Sequence, residues 1–218
     1  MQLQWPSLAT SQSHELAWDW EVLTIAGLCV TVAVIALILY PLVRWRRRDD
    51  SLPPQFSTNN PLEIAYTVIP LLLVVVLFAV TYRVEAGVER IAPQPAAVVD
   101  VSAYRWSWRF SYPGTGVAIG GTPAHPPQMV LPAGQTTRLV VTSDDVDHSF
   151  WVPDFLFKRD AIPGTRNEFD LTPTQTGTYR GECAEYCGLE HARMAFTVRV
   201  VSPEAYRRWL VANGSARS

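Results

Sequence analysis

The stretch CAEYCGLEHARM, residues 183–194, brings two thiols, an imidazole and a thioether together within twelve residues. His148 lies 35 residues before the first of these cysteines, beside a segment that we expect to be a strand. Each side chain also has a purely structural interpretation, since two cysteines four residues apart can form a disulfide and a single methionine usually packs in a core. Taken together, they form one set of soft metal ligands.

The thioether helps to choose between the metals that such a set can bind. Two cysteines and two histidines alone would suit tetrahedral zinc, whereas methionine is a weak axial ligand in copper sites that transfer electrons. One cysteine, two histidines and one methionine would make a mononuclear copper site. Because the loop contains a second cysteine, two thiolates can instead bridge two copper ions, which leaves one histidine for each. Met194 and a backbone carbonyl of the loop would fill the remaining weak positions.

The residues around this loop predict an all-β domain. Proline and glycine separate short segments of apolar alternation, and this pattern indicates a sandwich or barrel. A short helix from Pro203 to about Leu210 should close the domain, because Ser202 supplies an N-cap and proline suits the first helical position. The predicted strands are Val98–Ala103, Trp106–Tyr112, Met129–Leu131, Thr136–Thr142, Ser149–Val152, Asn167–Leu171, Gly177–Gly181 and Phe196–Val201.

Two uncharged stretches precede this domain. Neither Val22–Val43 nor Ile64–Tyr82 contains a charged residue, and about 20 apolar residues suffice to cross a hydrocarbon core of ~30 Å. We therefore predict a hairpin of two transmembrane helices, with spans at about residues 20–43 and 62–83. The first span should not be a cleaved signal peptide, because acidic residues and no lysine or arginine precede it.

An arginine cluster predicts the orientation of the hairpin. The cluster follows the first span, and positively charged loops stay in the cytoplasm. The N-terminal segment and everything after Tyr82 should therefore face outward. We divide the chain into residues 1–90, which hold the N-terminal segment and the hairpin, and residues 91–218, which hold a linker and the extracytoplasmic domain. The arginines are Arg44, Arg46, Arg47 and Arg48.

The composition excludes several other classes of protein. The 8 Trp, 8 Tyr and 8 Phe exclude a disordered chain, and only 3 Cys exclude a disulfide scaffold. A net charge of −2 provides no global basic field for nucleic acid. The chain has no Cys-x-x-Cys-His motif, so we expect no c-type haem attached to it.

The loop resembles the dinuclear CuA loop, Cys-x-Glu-x-Cys-x-x-x-His-x-x-Met, of subunit II of haem–copper cytochrome c oxidases. The resemblance extends over nearly the whole chain, at LEIAYTVIP (62–70), WSW (106–108), DHSFWVP (147–153) and DAIPG (160–164). It implies a transmembrane two-helix hairpin followed by a cupredoxin-like all-β domain with a short C-terminal helix. It also implies a bacterial cytoplasmic membrane, with the N-terminus and the CuA domain on the outer side.

The resemblance implies roles for individual residues. Trp106 matches the residue through which electrons enter from cytochrome c, and Glu63 matches the carboxylate at the mouth of the proton path into subunit I. Simple anchoring at the membrane interface is the alternative for Glu63. The carboxylate of Glu185 would reach a magnesium ion shared with subunit I. The copper ligands would be the backbone carbonyl of Glu185 and the side chains of His148, Cys183, Cys187, His191 and Met194.

The implied function is that of subunit II of a proton-pumping cytochrome c oxidase. A soluble or membrane-anchored cytochrome c would donate electrons to CuA, and haem in subunit I, where oxygen is reduced to water, would receive them. Further oxidase subunits and membrane lipid would be the other partners. A CuA-bearing subunit of a nitric oxide reductase and a membrane-anchored copper-binding protein are the alternatives. A quinol oxidase subunit is disfavoured, because that branch lacks the copper ligands.

Acidic residues flank the predicted copper ligands. No basic residue falls within either group of acids. We expect the exposed acids to steer a cationic cytochrome toward Trp106, while Glu185 turns inward; a solvated acidic face is the alternative. Residues 113–143 contain no Asp or Glu, although relatives often carry docking acids there. The flanking acids are Asp144, Asp145 and Asp147 before His148, and Glu182, Glu185 and Glu190 in or beside the loop.

Overall fold

A computed structural model describes residues 6–46, 55 and 57–214 of the chain. These residues form two compact units, one made of residues 18–85 and the other of the residues up to 17 together with those from 86 onward. The division of the chain after residue 90 stays a prediction. In the structure, the N-terminal segment groups with the β-rich unit. Of the arginines expected to set the orientation, Arg47 and Arg48 lie outside the described residues.

Two long helices carry the apolar stretches. Helix α1 is Ser11–Arg44 and helix α2 is Asn60–Val88. Their most apolar 18-residue windows have mean hydropathies of 2.9 and 2.6. With 34 and 29 residues at a rise of about 1.5 Å each, both are long enough to cross a membrane. The predicted spans, 20–43 and 62–83, lie inside these helices, which are longer because helical hydrogen bonding continues past the apolar stretch.

Side-chain caps explain where both helices begin. The Ser13 N–H donates to Thr10 Oγ1 at 3.0 Å, and the Thr10 N–H donates to Ser13 Oγ at 3.1 Å. This reciprocal pair satisfies two backbone donors, as a capping box does. At the second helix, the Leu62 N–H donates to Asn59 Oδ1 at 3.3 Å.

Within the described residues, ten strands form two five-stranded sheets. They are β1 (Ala97–Tyr104), β2 (Ser107–Tyr112), β3 (Val117–Gly120), β4 (Gln128–Pro132), β5 (Thr137–Ser143), β6 (His148–Val152), β7 (Phe157–Ala161), β8 (Asn167–Leu171), β9 (Gly177–Cys183) and β10 (Ala195–Val201). The sheet orders are β3-β2-β1-β5-β8 and β4-β10-β9-β6-β7. The β1–β5 and β4–β10 pairs are parallel, and the other pairs are antiparallel. With helix α3 (Pro203–Gly214) closing the chain, the predicted fold class is confirmed.

Aromatic side chains fill the core of the sandwich. Trp108 of β2 and Phe150 of β6 both pack on Phe196 of β10, with ring centroids 5.3 and 4.8 Å apart. Gly181 of β9 lies under the same ring, and a Cβ there would be 2.1 Å from a Phe196 ring carbon. The absence of a side chain at this position therefore lets β9 approach the core.

The structure differs from the sequence-based prediction at four elements. Strand β3 was not predicted, because its four residues lie between turn-forming segments. Strand β7 was not predicted either, because FKRDA places three consecutive charged residues in an edge strand. Trp106 lies in the turn between β1 and β2 instead of starting a strand, and α3 ends at Gly214 instead of near Leu210.

The N-terminal strap, residues 7–12, pairs with the segment between β8 and β9. The Ser11 N–H donates to the Thr172 carbonyl at 3.0 Å, and the Thr174 N–H donates to the Ala9 carbonyl at 2.8 Å. The Ala9 N–H in turn donates to the Asp154 carbonyl at 3.0 Å, and Ala9 is fully buried. The strap is thus an integral part of the β-rich unit.

Candidate metal centre

Two neighbouring strands and one loop bring the predicted ligands together. His148 begins β6 and Cys183 ends β9, and these strands pair with Phe150 opposite Cys183. The loop after β9 returns to β10 through Met194, whose carbonyl accepts a hydrogen bond from the Cys183 N–H at 3.0 Å. The ends of the loop are therefore fixed to each other and to the sheet.

Each thiol faces its own imidazole. Cys183 Sγ lies 3.8 Å from His148 Nδ1, and Cys187 Sγ lies 3.6 Å from His191 Nδ1. The two sulfur atoms are 3.9 Å apart and both cysteines are free, so the disulfide alternative is not the arrangement seen. The ligand atoms of His148, Cys183 and Cys187 all lie within 4.8 Å of one another.

Two weaker donors complete the cluster. Met194 Sδ is 3.7 Å from Cys187 Sγ, and the Glu185 carbonyl accepts a hydrogen bond from the Cys183 thiol at 3.2 Å. Met194 is 1% exposed and His148 is 0% exposed. The thioether and the carbonyl therefore lie beside the thiols, as the sequence predicts, in a site from which bulk water is largely excluded.

The surroundings make the two thiols unequal. Burial opposes ionisation of Cys183, but hydrogen bonds with His148 and with the backbone near Ser149 and Glu185 outweigh it and lower the pKa of its thiol to about 7. Burial and the neighbouring Cys183 raise the pKa of Cys187 to about 12. A metal ion that binds both sulfur atoms must therefore displace a proton from Cys187.

Asp145 orients the first histidine. Its Oδ1 is 2.9 Å from His148 Nε2, which leaves Nδ1 directed toward Cys183. Burial would lower the pKa of His148, but the hydrogen bonds with Cys183 and Asp145 raise it above its ordinary value. A carboxylate behind a ligating histidine fixes the ring and increases its basicity. From the sequence we expect Asp145 only to form part of an acidic face; its position three residues before His148 is the signal that could have indicated this contact.

Two tryptophans contact the backbone of the loop. The Trp106 indole N–H donates to the Cys187 carbonyl at 3.1 Å, and the Trp108 indole N–H donates to the Met194 carbonyl at 3.4 Å. Gly188 allows the first contact, because its φ is +114° and a Cβ there would be 3.3 Å from the Trp106 indole nitrogen. Trp106 is partly exposed and Trp108 is fully buried, so of these two tryptophans only Trp106 reaches the surface.

The other two predicted site residues have local contacts. Glu185 is exposed, so the expectation that it turns inward is wrong; its carboxylate accepts a hydrogen bond from the Tyr186 N–H at 3.1 Å. Glu63 lies in the first turn of α2, where its carboxylate accepts a hydrogen bond from the Asn59 N–H at 3.2 Å. This capping contact is a structural role for Glu63, and its role at a proton path stays a prediction.

The acids around the site are largely paired with arginines, which corrects the expectation of an acidic steering face. The β1–β2 hairpin supplies Arg105 to Asp145 and Arg109 to Asp144, and two further arginines lie beside acids of the loop region. The ion pairs are Arg105–Asp145 at 3.2 Å, Arg109–Asp144 at 3.7 Å, Arg180–Glu182 at 3.1 Å and Arg193–Glu190 at 3.2 Å.

Comparison with known proteins gives the family. The family described as cytochrome C oxidase subunit II, transmembrane domain, matches residues 1–84, and the one described as cytochrome C oxidase subunit II, periplasmic domain, matches residues 124–201. A probable cytochrome c oxidase subunit 2 of Streptomyces avermitilis is 38% identical, over 94% of this chain and 77% of the relative. The chain belongs to the cytochrome c oxidase subunit II family. Cytochrome c oxidase subunit 2 of Mycobacterium tuberculosis is 32% identical, over 94% of this chain and 73% of the relative.

A solved member of the subunit II family has the same β-domain fold. The crystal structure of the periplasmic domain of subunit II of cytochrome oxidase of Bradyrhizobium japonicum matches with a TM-score of 0.53 and 29% identity, over 59% of this chain and 100% of that domain. The predicted resemblance is thus confirmed, and the donor cluster of this subunit II chain is compatible with copper.

Proposed function

We propose that this chain is the subunit of a proton-pumping cytochrome c oxidase that accepts electrons from cytochrome c, at a dinuclear copper centre. The observation that carries the proposal is the pairing of each thiol with a different imidazole, Cys183 with His148 and Cys187 with His191. Two adjacent thiols with an imidazole beside each would provide donors for two copper ions. The six proposed ligands are the Glu185 carbonyl and the side chains of His148, Cys183, Cys187, His191 and Met194.

The protein surroundings suit electron transfer. When bound, the copper centre supplies a carrier that takes up and releases one electron. The chain supplies a dry and fixed set of donors: Cys183 and Cys187 are 6% and 5% exposed, and the core packs behind them. Because the ligands are held by strand ends and a backbone-bonded loop, their geometry should change little between oxidation states. The site leaves no open position for a substrate.

Trp106 is the proposed route by which electrons reach the site. Its indole is hydrogen-bonded to the Cys187 carbonyl, so a donor that contacts Trp106 is connected to a ligand residue through one hydrogen bond. Cytochrome c, soluble or membrane-anchored, is the proposed donor. Haem in subunit I is the proposed acceptor, and oxygen is reduced to water there.

Further roles follow from the family resemblance and from the helices. We propose that Glu185 contributes a carboxylate to a magnesium ion shared with subunit I, and that Glu63 opens the proton path into that subunit. Helices α1 and α2 would contact lipid and other oxidase subunits in a bacterial cytoplasmic membrane. Arg44 after the first span supports an outward-facing domain over residues 91–218.

Electron paramagnetic resonance of the purified copper-loaded complex tests the dinuclear centre. We expect hyperfine splitting from two equivalent copper nuclei, because bridging thiolates share one unpaired electron between them. Cys183→Ser and Cys187→Ser should each abolish this signal, whereas Cys29→Ser, in α1, should preserve it. Met194→Leu should mainly shift the reduction potential, since an axial thioether tunes a copper site. Coupling to a single copper nucleus in the unmodified protein would refute the proposal.

A CuA-bearing nitric oxide reductase subunit would use the same copper ligands. The haem content of the purified complex and its activity with oxygen against nitric oxide separate the two functions. A copper-delivery protein would instead release its metal readily to a chelator, which the buried donor set argues against.

A further inference from the structure

Ion pairs reduce the free charge of the acids that flank the copper ligands. Of these six acids, four form ion pairs with arginines, as described above. Among the described residues, Asp147 and Glu185 have no arginine or lysine partner at ion-pair distance. At a distance, a paired acid and arginine act as a dipole whose field decays faster than that of a free charge. The long-range attraction for a cationic protein is therefore weaker than six free acids would give.

The arginines themselves are well exposed. The side chains of Arg105 and Arg109 are both 50% exposed and that of Arg193 is 61% exposed. Arg105 is the chain neighbour of Trp106, so an approaching donor meets positive as well as negative charge there. A strongly basic donor would face like charges in contact with Trp106, and juxtaposed like charges suppress binding.

Apolar side chains project from the copper loop at the same place. Leu189 is 89% exposed and Tyr186 is 77% exposed, and both lie within three residues of Gly188, on which Trp106 packs. Exposed large apolar residues rimmed by charge mark protein interaction sites. Leu189 and Tyr186 are thus exposed apolar side chains of the loop whose backbone Trp106 contacts, and we refer to these three residues as the apolar patch.

We infer that this patch docks a cytochrome c domain whose haem edge is apolar and nearly neutral, and that the arginines of the surrounding ion pairs discriminate against strongly basic donors. The inference rests on the proposed function and specifies its donor. Apolar contact provides the affinity, and electrostatic steering contributes little. The rate of electron delivery to this protein should accordingly depend weakly on ionic strength.

The test compares variants of the intact oxidase with horse-heart cytochrome c, a strongly basic probe, across ionic strength. Arg109→Gln/Arg193→Gln leaves Asp144 and Glu190 unpaired, and it avoids Arg105, whose partner Asp145 contacts a copper ligand. We expect the unmodified complex to show a shallow salt dependence and the double variant to react about tenfold faster at low salt, with the difference vanishing at high salt. Arg166→Gln is the matched control, since it breaks the Arg166–Glu168 pair at β8, which is three strands away from β2 in the sheet.

Leu189→Gln tests the apolar contact. Because this side chain is almost fully exposed, the substitution should leave folding intact while raising KM for the basic donor at every salt concentration. The inference would be overturned if the electron-transfer rate of the unmodified complex fell steeply with salt, or if the double variant reacted at the unmodified rate. It would also be overturned if the Leu189→Gln complex failed to assemble instead of losing affinity for the donor. Electron paramagnetic resonance spectra of every variant distinguish a failure of this inference from a failure of the proposed function. If the proposed function were wrong, the two-copper signal would be missing in the unmodified complex.

Discussion

Asp145 is the residue that holds His148 in position for the metal. Asp145→Asn keeps the size of the side chain and removes the charge behind the imidazole. We expect copper affinity to fall by about 10- to 100-fold, the range found for partners of ligating histidines. Titration of the purified full chain against a chelator of known copper affinity measures the change. Asp147→Asn, exposed and adjacent to the same histidine, is the control; equal effects of the two substitutions would contradict the assignment.

Gly181 shows how a missing side chain shapes the core. A methyl group there would overlap the ring of Phe196, 2.1 Å away, and the neighbouring aromatic rings leave little room for the ring to move. Gly181→Ala should therefore destabilise the β-rich unit by about 1–3 kcal/mol, the usual cost of overpacking. Denaturant unfolding followed by tryptophan fluorescence measures this cost. Thr178→Ala on the exposed face of the same strand should change stability by less than about 0.5 kcal/mol.

The sequence predicts which side chains come together at the candidate site, but it does not predict the partners of the acids around them. The spacing from Cys183 to Met194 is local, so the loop alone gives every proposed side-chain donor except His148, which lies 35 residues before it. The partners of the acids cannot be derived in this way, because Arg105 lies 40 residues from Asp145 and only the β1–β2 hairpin brings them together. A local charge count therefore indicates an acidic face where the folded chain has ion pairs.

Two tyrosines that pack between secondary-structure elements predict how the stability of the domain changes at high pH. Tyr112 of β2 donates a hydrogen bond to the Val130 carbonyl of β4, at 3.2 Å, and accepts one from the Val130 N–H, at 2.7 Å, so it links the two sheets. Tyr206 of α3 packs near the Tyr112 ring, 6.4 Å between centroids. Burial raises the pKa of Tyr206 to about 12, and burial raises that of Tyr112 as well.

These shifts fix the sign of the pH dependence. In the unfolded chain a tyrosine loses its proton near pH 10, whereas both phenols stay protonated in the folded domain, so the folded state binds more protons above pH 10. Their contribution to stability is complete below pH 10 and is lost as the pH rises toward about 12, at up to ~1.4 kcal/mol per pH unit for each group. Denaturant titrations of the detergent-solubilised chain at pH 9 to 12 measure this loss.

Tyr206→Phe separates titration from packing. The ring remains and no ionisable group is left, so the variant should lose stability less steeply above pH 10 than the unmodified chain. Parallel curves for the two proteins would show that Tyr206 does not titrate as its burial implies.

The elements that could not be predicted are those whose partners decide their structure. Strand β7 contains consecutive charged residues and is a strand because β6 pairs with it over five residues. Strand β3 has four residues and depends on β2 in the same way. The helices could be predicted from the sequence, because the long uncharged stretches of α1 and α2 and the cap of α3 at Ser202 are local signals.

The orientation of the whole chain is testable with protease. Arg90 is exposed and lies beyond α2, and we expect it to face outward because the arginines after α1 hold the connecting segment in the cytoplasm. Trypsin added to intact spheroplasts should therefore cut at Arg90 and separate the helices from the β-domain on a denaturing gel. Inverted membrane vesicles should protect that site and expose Arg44 and Arg46. The reverse pattern would invert the topology.

The N-terminal strap has a consequence for how the protein is made. Gln12 and Thr172, which share a hydrogen bond, are 160 residues apart, and ribosomes add about 5–20 residues per second. Once synthesised, the strap therefore waits ~8–32 s for the partner that it pairs with. In the proposed orientation, it must also cross the membrane before the two can pair. Export of the amino-terminal tail is thus an early step of biogenesis, and completion of the sandwich is a late one that requires both ends of the chain on the same side.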